Sequence, residues 1–103
     1  MTNNKDTNGY WIVQGGEIKD QAAFEEYGKL WQPVAKKFGA EMIAHSETAD
    51  VVEGRGPQRI VVIKFPSFKH ATEAYHSPEY SKAAHFGRLA GERSVTVLPG
   101  IPL

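Results

Sequence analysis

His45 is the residue of this sequence that most directly indicates a reaction, because it lies in a segment with apolar neighbours that predicts a β-strand. Histidine changes its protonation near neutral pH and can act as a general base. We therefore predict His45 as a catalytic residue. The alternative is a histidine that is hydrogen-bonded at the edge of a sheet, which is the commoner situation because most histidines are not catalytic.

Two basic side chains belong to a second, strongly apolar segment, which Arg59 begins and Lys64 interrupts. Arg59 can bind a carboxylate through its bidentate guanidinium fork, so we predict it as a substrate-binding residue. The alternative is an ion pair with Glu53 or Glu41 across the neighbouring strand, which is the commoner outcome. Lys64 can simply extend its aliphatic stem toward the end of the sheet.

Four aromatic side chains with polar tips can line a pocket between helices and sheet, where small-molecule sites are mostly apolar with few polar groups: Tyr27, Trp31, Tyr75 and Tyr80. We predict Tyr27 and Trp31 as substrate-binding residues, together with His76. Tyr80, near His76 at the start of a predicted helix, is predicted as a second catalytic residue. The alternative is core packing at helical spacing, which we favour for Trp31 and Tyr75.

The other histidines, His70, His76 and His85, do not have the spacing of a metal site. No two of them are four residues apart on one helix face, and the chain has no cysteine to supply a thiolate ligand. One histidine can suffice to bind a haem, but nothing in the sequence specifically supports haem. We therefore predict no metal and no cofactor.

The composition excludes several classes of partner. The chain of 103 residues carries twelve Lys plus Arg against twelve Asp plus Glu, for a formal net charge of zero and no long run of one sign. A nucleic-acid-binding protein would show a basic excess or a basic cluster. Neither a signal peptide nor an apolar run long enough to cross a membrane is present. We expect a cytoplasmic protein without nucleic-acid or membrane partners.

Hydrophobic periodicity and local breakers predict the elements that position these residues. One domain is expected at residues 10–98, between a disordered tail at 1–9 and a C-terminal tail at 99–103. Strands are predicted from Tyr10 toward Ile18, from Ala40 to Ser46, from Ile60 to Phe65 and from Arg93 to Leu98. Val51 to Glu53 can extend the second strand after an irregular step at Glu47–Asp50. Helices are predicted after Asp20, Ser67 and Ser77, each a good N-cap residue.

The first predicted helix has one apolar stripe, made of Phe24, Tyr27, Trp31, Val34, Ala35 and Phe38. Gly39 is expected to end it. Pro33 lies inside the helix and removes a backbone hydrogen bond, so we expect a kink near Lys29–Gln32. The stripe stays in phase beyond Pro33, which favours one kinked helix over two.

The resulting order, β-α-β-β-α-β with an extra helical segment before the last strand, is the ferredoxin-like pattern of the α+β class. Its four-stranded antiparallel sheet has helices on one face only. Five of the six residues from Ile60 to Phe65 are apolar, so both faces of that strand are apolar. An apolar sheet face that stays exposed to water is energetically unfavourable. We therefore predict a homodimer in which two sheets pack face to face.

Two segments carry a resemblance to a known family: Phe65-Pro66-Ser67-Phe68 with Ala71 and Tyr75, and Ser77-Pro78-Glu79-Tyr80. With Gly9-Tyr10, Tyr27, Gly39 and Glu53-Gly54, they resemble domain of unknown function 1330, in the dimeric α/β-barrel superfamily. The resemblance implies two ferredoxin-like subunits whose sheets form one barrel. The superfamily includes cofactor-free monooxygenases, small isomerases, haem enzymes and ligand-sensing domains, so the fold does not choose an activity.

The chain departs from the family pattern at four places. The expected Gly-Gly pair, arginine, tryptophan and acidic residue are replaced by Gly39-Ala40, His45, Ala74 and His76. If the family's shared chemistry uses that arginine or tryptophan, this chain differs in its ligand or lacks the activity.

Two functions are compatible with these residues. In the first, a small aromatic or carbonyl-bearing molecule binds or reacts between sheet and helices, with His45 as base, Arg59 as anion anchor and Tyr27 and Tyr80 as hydrogen-bond donors. In the second, the protein is a non-catalytic homodimer that binds a ligand or only assembles. An open cavity that holds His45 and Tyr80 favours the first function or ligand binding, whereas a space filled by side chains favours assembly alone.

Overall fold

Four strands and three helices are arranged along residues 7–102, which are the residues that the computed structural model describes. In chain order they are β1 (Gly9–Gly15), α1 (Gln21–Phe38), β2 (Glu41–Ser46), β3 (Arg59–Phe65), α2 (Phe68–His76), α3 (Pro78–Ala90) and β4 (Arg93–Pro99). Residues 1–6 of the predicted N-terminal tail lie outside this range. Within it, β1 begins at Gly9 and β4 includes Pro99, so the strands extend one residue beyond each predicted domain boundary.

The sheet has the strand order β2-β3-β1-β4, and every neighbouring pair is antiparallel. With α1 between β1 and β2, and α2 and α3 between β3 and β4, this is the ferredoxin-like α+β fold that the sequence predicts. The two central strands, β1 and β3, pair along their whole length, and Ile12 lies opposite Val62 in the middle of the pair.

The two faces of the sheet differ in what covers them. Trp11 and Val13 on β1 share a face with Ile63 and Phe65 on β3, and all four side chains are buried in the core beneath the helices. The alternate residues, with Ile12 among them, are only half-buried. Because successive strand side chains point to opposite faces, we call this second surface the open face: Tyr10, Ile12, Gln14, Ile60, Val62, Lys64, Ser94, Thr96 and Leu98.

α1 begins and ends where its local sequence predicts. The Asp20 carboxylate accepts a hydrogen bond from the Ala23 N–H at 3.0 Å, which caps the N-terminus. Gly39 closes the helix in the left-handed region with φ of 71°, a conformation that side-chain-bearing residues rarely adopt. The helix passes through Pro33 as one element, which confirms that the apolar stripe belongs to a single helix.

β2 is the element where the sequence prediction is wrong in detail. The irregular step lies inside the strand, between Met42 and Ala44, and not at residues 47–50. Val51 and Val52 do not extend the strand; they belong to a loop closed by a hydrogen bond from the Ala49 N–H. An edge strand has a partner on one side only and tolerates such a bulge. The bulge brings Met42 opposite Ile63 and His45 opposite Val61, both on the helix-covered side.

Two serines set the starts of the remaining helices, as predicted. The Ser67 hydroxyl accepts from the His70 N–H at 3.0 Å, and the Ser77 hydroxyl accepts from the Tyr80 N–H at 3.1 Å. Ser77 also ends α2, because its own hydroxyl donates to the Ala74 carbonyl at 2.8 Å. The chain therefore turns between α2 and α3 at one buried serine, with Pro78 at the first helical position.

We expect Gly9→Ala to destabilise the protein by about 1–3 kcal/mol, the usual cost of forcing extra atoms into a packed site. A Cβ atom at Gly9 would lie 2.5 Å from the Ser67 carbonyl oxygen and 2.7 Å from the Phe68 Cα, so backbone atoms would have to move. The matched control is Gly28→Ala inside α1, where a Cβ meets no atom within 4 Å.

The Gly28→Ala control should stabilise the protein by about 0.5–1 kcal/mol, because alanine is the better helix former. Urea unfolding followed by circular dichroism measures both changes. Equal stability of the two variants would contradict the close approach of α2 to β1.

Candidate functional site

A cavity of about 280 Å³ lies between α1, the C-terminal end of α3 and the helix-covered side of the sheet. Its size is just below the ~300–1,000 Å³ of typical small-molecule sites. The cavity is open rather than filled by side chains. Its wall combines apolar residues with a few polar ones: Val13, Ile18, Phe24, Tyr27, Gly28, Trp31, Gln32, Met42, His45, Glu47, Arg59, Val61, Ile63, Gly87, Ala90 and Arg93.

The apolar part of the cavity wall comes from both layers of the fold. Val13, Val61 and Ile63 supply its floor from the central strands, and Phe24 and Trp31 border it from α1. The Trp31 ring packs on Trp11 with 5.4 Å between ring centroids, so the aromatic core supports this side of the cavity. Such a surface favours a flat apolar molecule, because burial of apolar area from water is the main driving force for binding.

Arg59 borders the cavity without a carboxylate partner. Its Nε–H donates to the Gly16 carbonyl at 3.1 Å, and its guanidinium lies 5.9 Å from the centre of the Phe24 ring. Within residues 7–102, the one close ion pair joins Lys37 to Glu79. The alternative of an ion pair between Arg59 and Glu53 or Glu41 is therefore wrong, and Glu41 lies opposite Lys64 instead.

His45 borders the same cavity from the edge strand. It lies opposite Val61 in the β2–β3 register, and its side chain is largely exposed to solvent. Its ring is therefore in contact with water as well as with the cavity. Glu47 follows on the same rim.

A chain of hydrogen bonds connects the cavity to the interior. Arg93 donates from Nη2 to the Tyr80 hydroxyl at 2.9 Å, and the Tyr80 hydroxyl lies 3.1 Å from that of Tyr27. The Arg93 guanidinium also lies over the Tyr27 ring, 4.9 Å from its centre. Tyr27 and Arg93 border the cavity, whereas Tyr80 is fully buried behind them.

Burial affects the protonation of Tyr80 and Arg93 in this hydrogen-bond chain. It raises the pKa of Tyr80 far above that of an ordinary phenol, with Tyr27 adding to the effect and Arg93 opposing it. Tyr80 is therefore a neutral phenol at physiological pH. Burial also works against the charge of Arg93, but the oxygens of Tyr80 and Tyr27 outweigh it, so the pKa of Arg93 is raised.

Gly87 on α3 makes room for the Arg93 side chain. A Cβ atom at Gly87 would lie 2.6 Å from the Arg93 Cζ and 2.8 Å from both terminal nitrogens. The helix therefore approaches the guanidinium through its backbone, at a position where glycine costs about 1 kcal/mol of helix stability relative to alanine.

The structure brings together four of the six predicted site residues: His45, Arg59, Tyr27 and Trp31. Tyr80 does not reach the cavity wall, because α3 buries it against the aromatic core. His76 is exposed at the end of α2, where its ring contacts Tyr75 rather than the cavity. Arg93 borders the cavity but is not among the six residues predicted from sequence. It lies two residues before Val95 and four before Val97 in β4, so the alternation of side chains along a strand places it on the same face as these two valines.

Two findings concern what the described residues lack. No group of three or more His, Cys, Asp or Glu side chains among residues 7–102 is arranged to hold a metal ion. None of the three helices in this range is both long and apolar enough to cross a membrane.

Comparison with known proteins gives one family and several similar structures. The family described as Domain of unknown function (DUF1330) matches residues 8–101. No curated protein shows significant sequence similarity to the chain. The RPA0582 protein of unknown function from Rhodopseudomonas palustris has a TM-score of 0.70 and 14% identity, covering 95% of this chain and 85% of that one.

Two further structures share the fold at similarly low identity. SnoaB from Streptomyces nogalater, described as a cofactor-independent oxygenase, has a TM-score of 0.61 and 10% identity, over 94% of this chain and 96% of its own. A dimeric protein of unknown function and ferredoxin-like fold from Bacteroides fragilis has a TM-score of 0.56 and 11% identity, over 90% of this chain and 96% of its own. At these identities the likeness shows the fold alone.

Proposed function

Because the chain belongs to the DUF1330 family, a domain family of unknown function, we propose its role from the cavity itself. The protein binds or transforms a small aromatic or carbonyl-bearing molecule that carries a negative charge. The observation that carries this proposal is an open apolar cavity with an arginine on its wall that has no carboxylate partner among the described residues.

Each part of the cavity wall suits a different part of the ligand. A flat ring or chain fits against Val61 and Trp31, where it loses contact with water. Arg59 keeps its terminal N–H groups available, because its one hydrogen bond within residues 7–102 uses Nε. A guanidinium fork binds a carboxylate with two parallel hydrogen bonds, so Arg59 suits an acidic group at the rim.

His45 supplies the chemistry if the ligand reacts. Its exposed imidazole on the cavity rim can take a proton from a bound molecule and release it to water. SnoaB, which shares the fold, is described as a cofactor-independent oxygenase. That description supports the view that this scaffold can host a reaction that needs no cofactor.

We expect Arg59→Gln to weaken the binding of 2-naphthoate about 10- to 100-fold, since hydrogen bonds to a charged group are worth about 1.5–3 kcal/mol. The matched control is Arg88→Gln, at an exposed position of α3 outside the cavity, which should bind like the wild type. Quenching of tryptophan fluorescence gives the affinity, because Trp31 borders the cavity.

The uncharged analogue 2-naphthamide separates charge from shape. It should bind the wild type and Arg59→Gln with similar affinity, since it offers no carboxylate. If the wild-type protein fails to bind 2-naphthoate, or if Arg88→Gln weakens binding as much as Arg59→Gln, the proposed anion site is wrong.

The second candidate function is ligand binding without conversion, favoured by the absence of a complete catalytic constellation among the described residues. His45→Ala separates the two functions. For an enzyme, this variant should bind its ligand and lose conversion of it, as followed by mass spectrometry of the bound molecule over time. For a binding protein, wild type and variant should both return the ligand unchanged.

The assembly that we propose is a homodimer through the open face. The protein is a slab only 16 Å thick in its shortest dimension, and Ile12 and Val62 lie together on the side without helices. A second copy that packs against this face covers the same apolar residues in both subunits. The description of the Bacteroides fragilis structure as dimeric supports this arrangement, and sedimentation velocity at micromolar concentration tests it.

A further inference from the structure

The hydrogen-bond chain of Arg93, Tyr80 and Tyr27 has a direction, which the donors and acceptors determine. A guanidinium can only donate hydrogen bonds, so the bond of 2.9 Å between Arg93 Nη2 and the Tyr80 hydroxyl ends on the Tyr80 oxygen. The Tyr80 oxygen is thus an acceptor, and its own proton still needs a partner.

Tyr27 is the partner for that proton. Tyr80 is fully buried, and buried hydroxyl protons are satisfied in folded proteins. Within residues 7–102, the Tyr80 hydroxyl has two hydrogen-bond partners, Arg93 and Tyr27. Since Arg93 cannot accept, the Tyr80 O–H donates to the Tyr27 oxygen, 3.1 Å away.

The proton of the Tyr27 hydroxyl is then left for a ligand. Its oxygen already accepts from Tyr80, and Tyr27 borders the cavity. Each bond in such a series polarises the next and strengthens the terminal donor, and the positive charge of Arg93 lies at its origin.

We infer that Tyr27 donates its hydroxyl proton into the cavity to bind an ionised oxygen, such as that of a phenolate or enolate, with Arg93 and Tyr80 as positioning residues behind it. This inference rests on the proposed function, and it names the chemical class of the ligand at the inner end of the site. Arg59 serves a carboxylate at the rim, whereas the Tyr27 hydroxyl offers one hydrogen bond, which suits one oxygen atom.

The charges around the cavity favour the ionised form of that oxygen. Arg93 has no carboxylate partner among the described residues, and neither does Arg59. His45 and Glu47 are the other titratable groups on the wall, and both are exposed at the rim. A positive charge near a buried oxygen stabilises its anion.

The test uses 4-nitrophenol as the probe, because its ionised form has its own absorption band. Titrating the complex gives the pKa of the bound probe. With the wild-type protein we expect this pKa to lie about 1–3 units below that of the free probe, as for an acid close to an opposite charge. Tyr27→Phe should remove most of this difference.

Two variants address the positioning residues. Tyr80→Phe and Arg93→Met leave the hydroxyl of Tyr27 in place but break the hydrogen-bond chain behind it. Both should raise the pKa of the bound probe toward its value in water and weaken binding of the ionised probe about 10-fold, the equivalent of one pKa unit. The matched control is Tyr75→Phe, whose ring also packs on Trp11 and Tyr80 and which should leave the spectrum unchanged.

The outcomes separate this inference from the proposed function. If 2-naphthoate and 4-nitrophenol both bind but the pKa of the bound probe equals that of the free probe, the inference is overturned and the proposed function stands. The inference is also overturned if Tyr80→Phe and Tyr75→Phe give the same spectrum. If neither probe binds to the wild-type protein, both proposals fail.

Discussion

Val62→Asp is expected to convert the proposed homodimer to a folded monomer. Val62 lies at the middle of the open face, opposite Ile12. In a symmetric dimer the substitution enters the interface twice, and each unpaired buried charge costs about 2 kcal/mol or more. The total of about 4 kcal/mol corresponds to a dimer that is roughly 1,000-fold weaker. Sedimentation velocity over a range of concentrations measures the change.

Two companion variants give this experiment its controls. Thr96→Asp lies on the same face, opposite Ile12 on the other neighbouring strand, and is exposed in the single subunit. It should also weaken the dimer without disturbing the subunit core. Leu89→Asp changes an exposed residue of α3 on the opposite side of the molecule and should leave the dimer intact. A wild-type protein that sediments as a monomer, or open-face variants that remain dimeric, would refute the proposed interface.

Trp11→Ala is expected to lower the free energy of unfolding by about 3–5 kcal/mol, the range for removing a large buried aromatic side chain. Trp11 is fully buried and its Nε1–H donates to the Ala71 carbonyl at 2.9 Å, which joins β1 to α2. Its ring also packs within 6 Å of four other aromatic rings: Trp31, Phe65, Tyr75 and Tyr80. The loss is a large part of the ~5–15 kcal/mol that stabilises a typical protein.

Thermal and urea unfolding at one fixed protein concentration measure this effect, since the stability of the proposed dimer would depend on concentration. The melting temperature should fall by roughly 12–40 °C, at about 4–8 °C per kcal/mol for a domain of this size. Trp11→Phe keeps an aromatic ring and should cost less, mainly through the unpaired Ala71 carbonyl. Val52→Ala, at a side chain that is 86% exposed, should change little. A Trp11→Ala variant as stable as Val52→Ala would contradict the central role of this ring.

The order of the elements could be predicted because its signals are local. Asp20, Ser67 and Ser77 mark helix starts through hydrogen bonds within three residues of themselves. The apolar run in β3 identified the central strand, and the small number of helices implied an uncovered face. All of these signals are present in the sequence without knowledge of which distant residues are in contact.

The site was only partly predictable, because it depends on contacts between distant elements. The bulge between Met42 and Ala44 sets which side His45 faces, and no local signal in β2 fixes its position. Tyr80 and Tyr27 are 53 residues apart in sequence yet share a hydrogen bond, and the depth of Tyr80 follows from how α3 packs on the core. Arg93 was within reach of the sequence, since the alternation that places Val95 and Val97 on one face also includes it.

The space that Gly87 leaves for the Arg93 guanidinium has a consequence for how related chains can diverge. A side chain at position 87 and the Arg93 guanidinium in its present position would occupy the same volume, so a larger residue at 87 requires the flexible end of Arg93 to move. We expect a relative with a larger residue at 87 either to shift its guanidinium or to carry another residue at 93, and in both cases to alter the charge at the origin of the hydrogen-bond chain. A substitution at position 87 therefore acts on the charge at the origin of the hydrogen-bond chain, although the two positions are six residues apart, across the junction of α3 and β4.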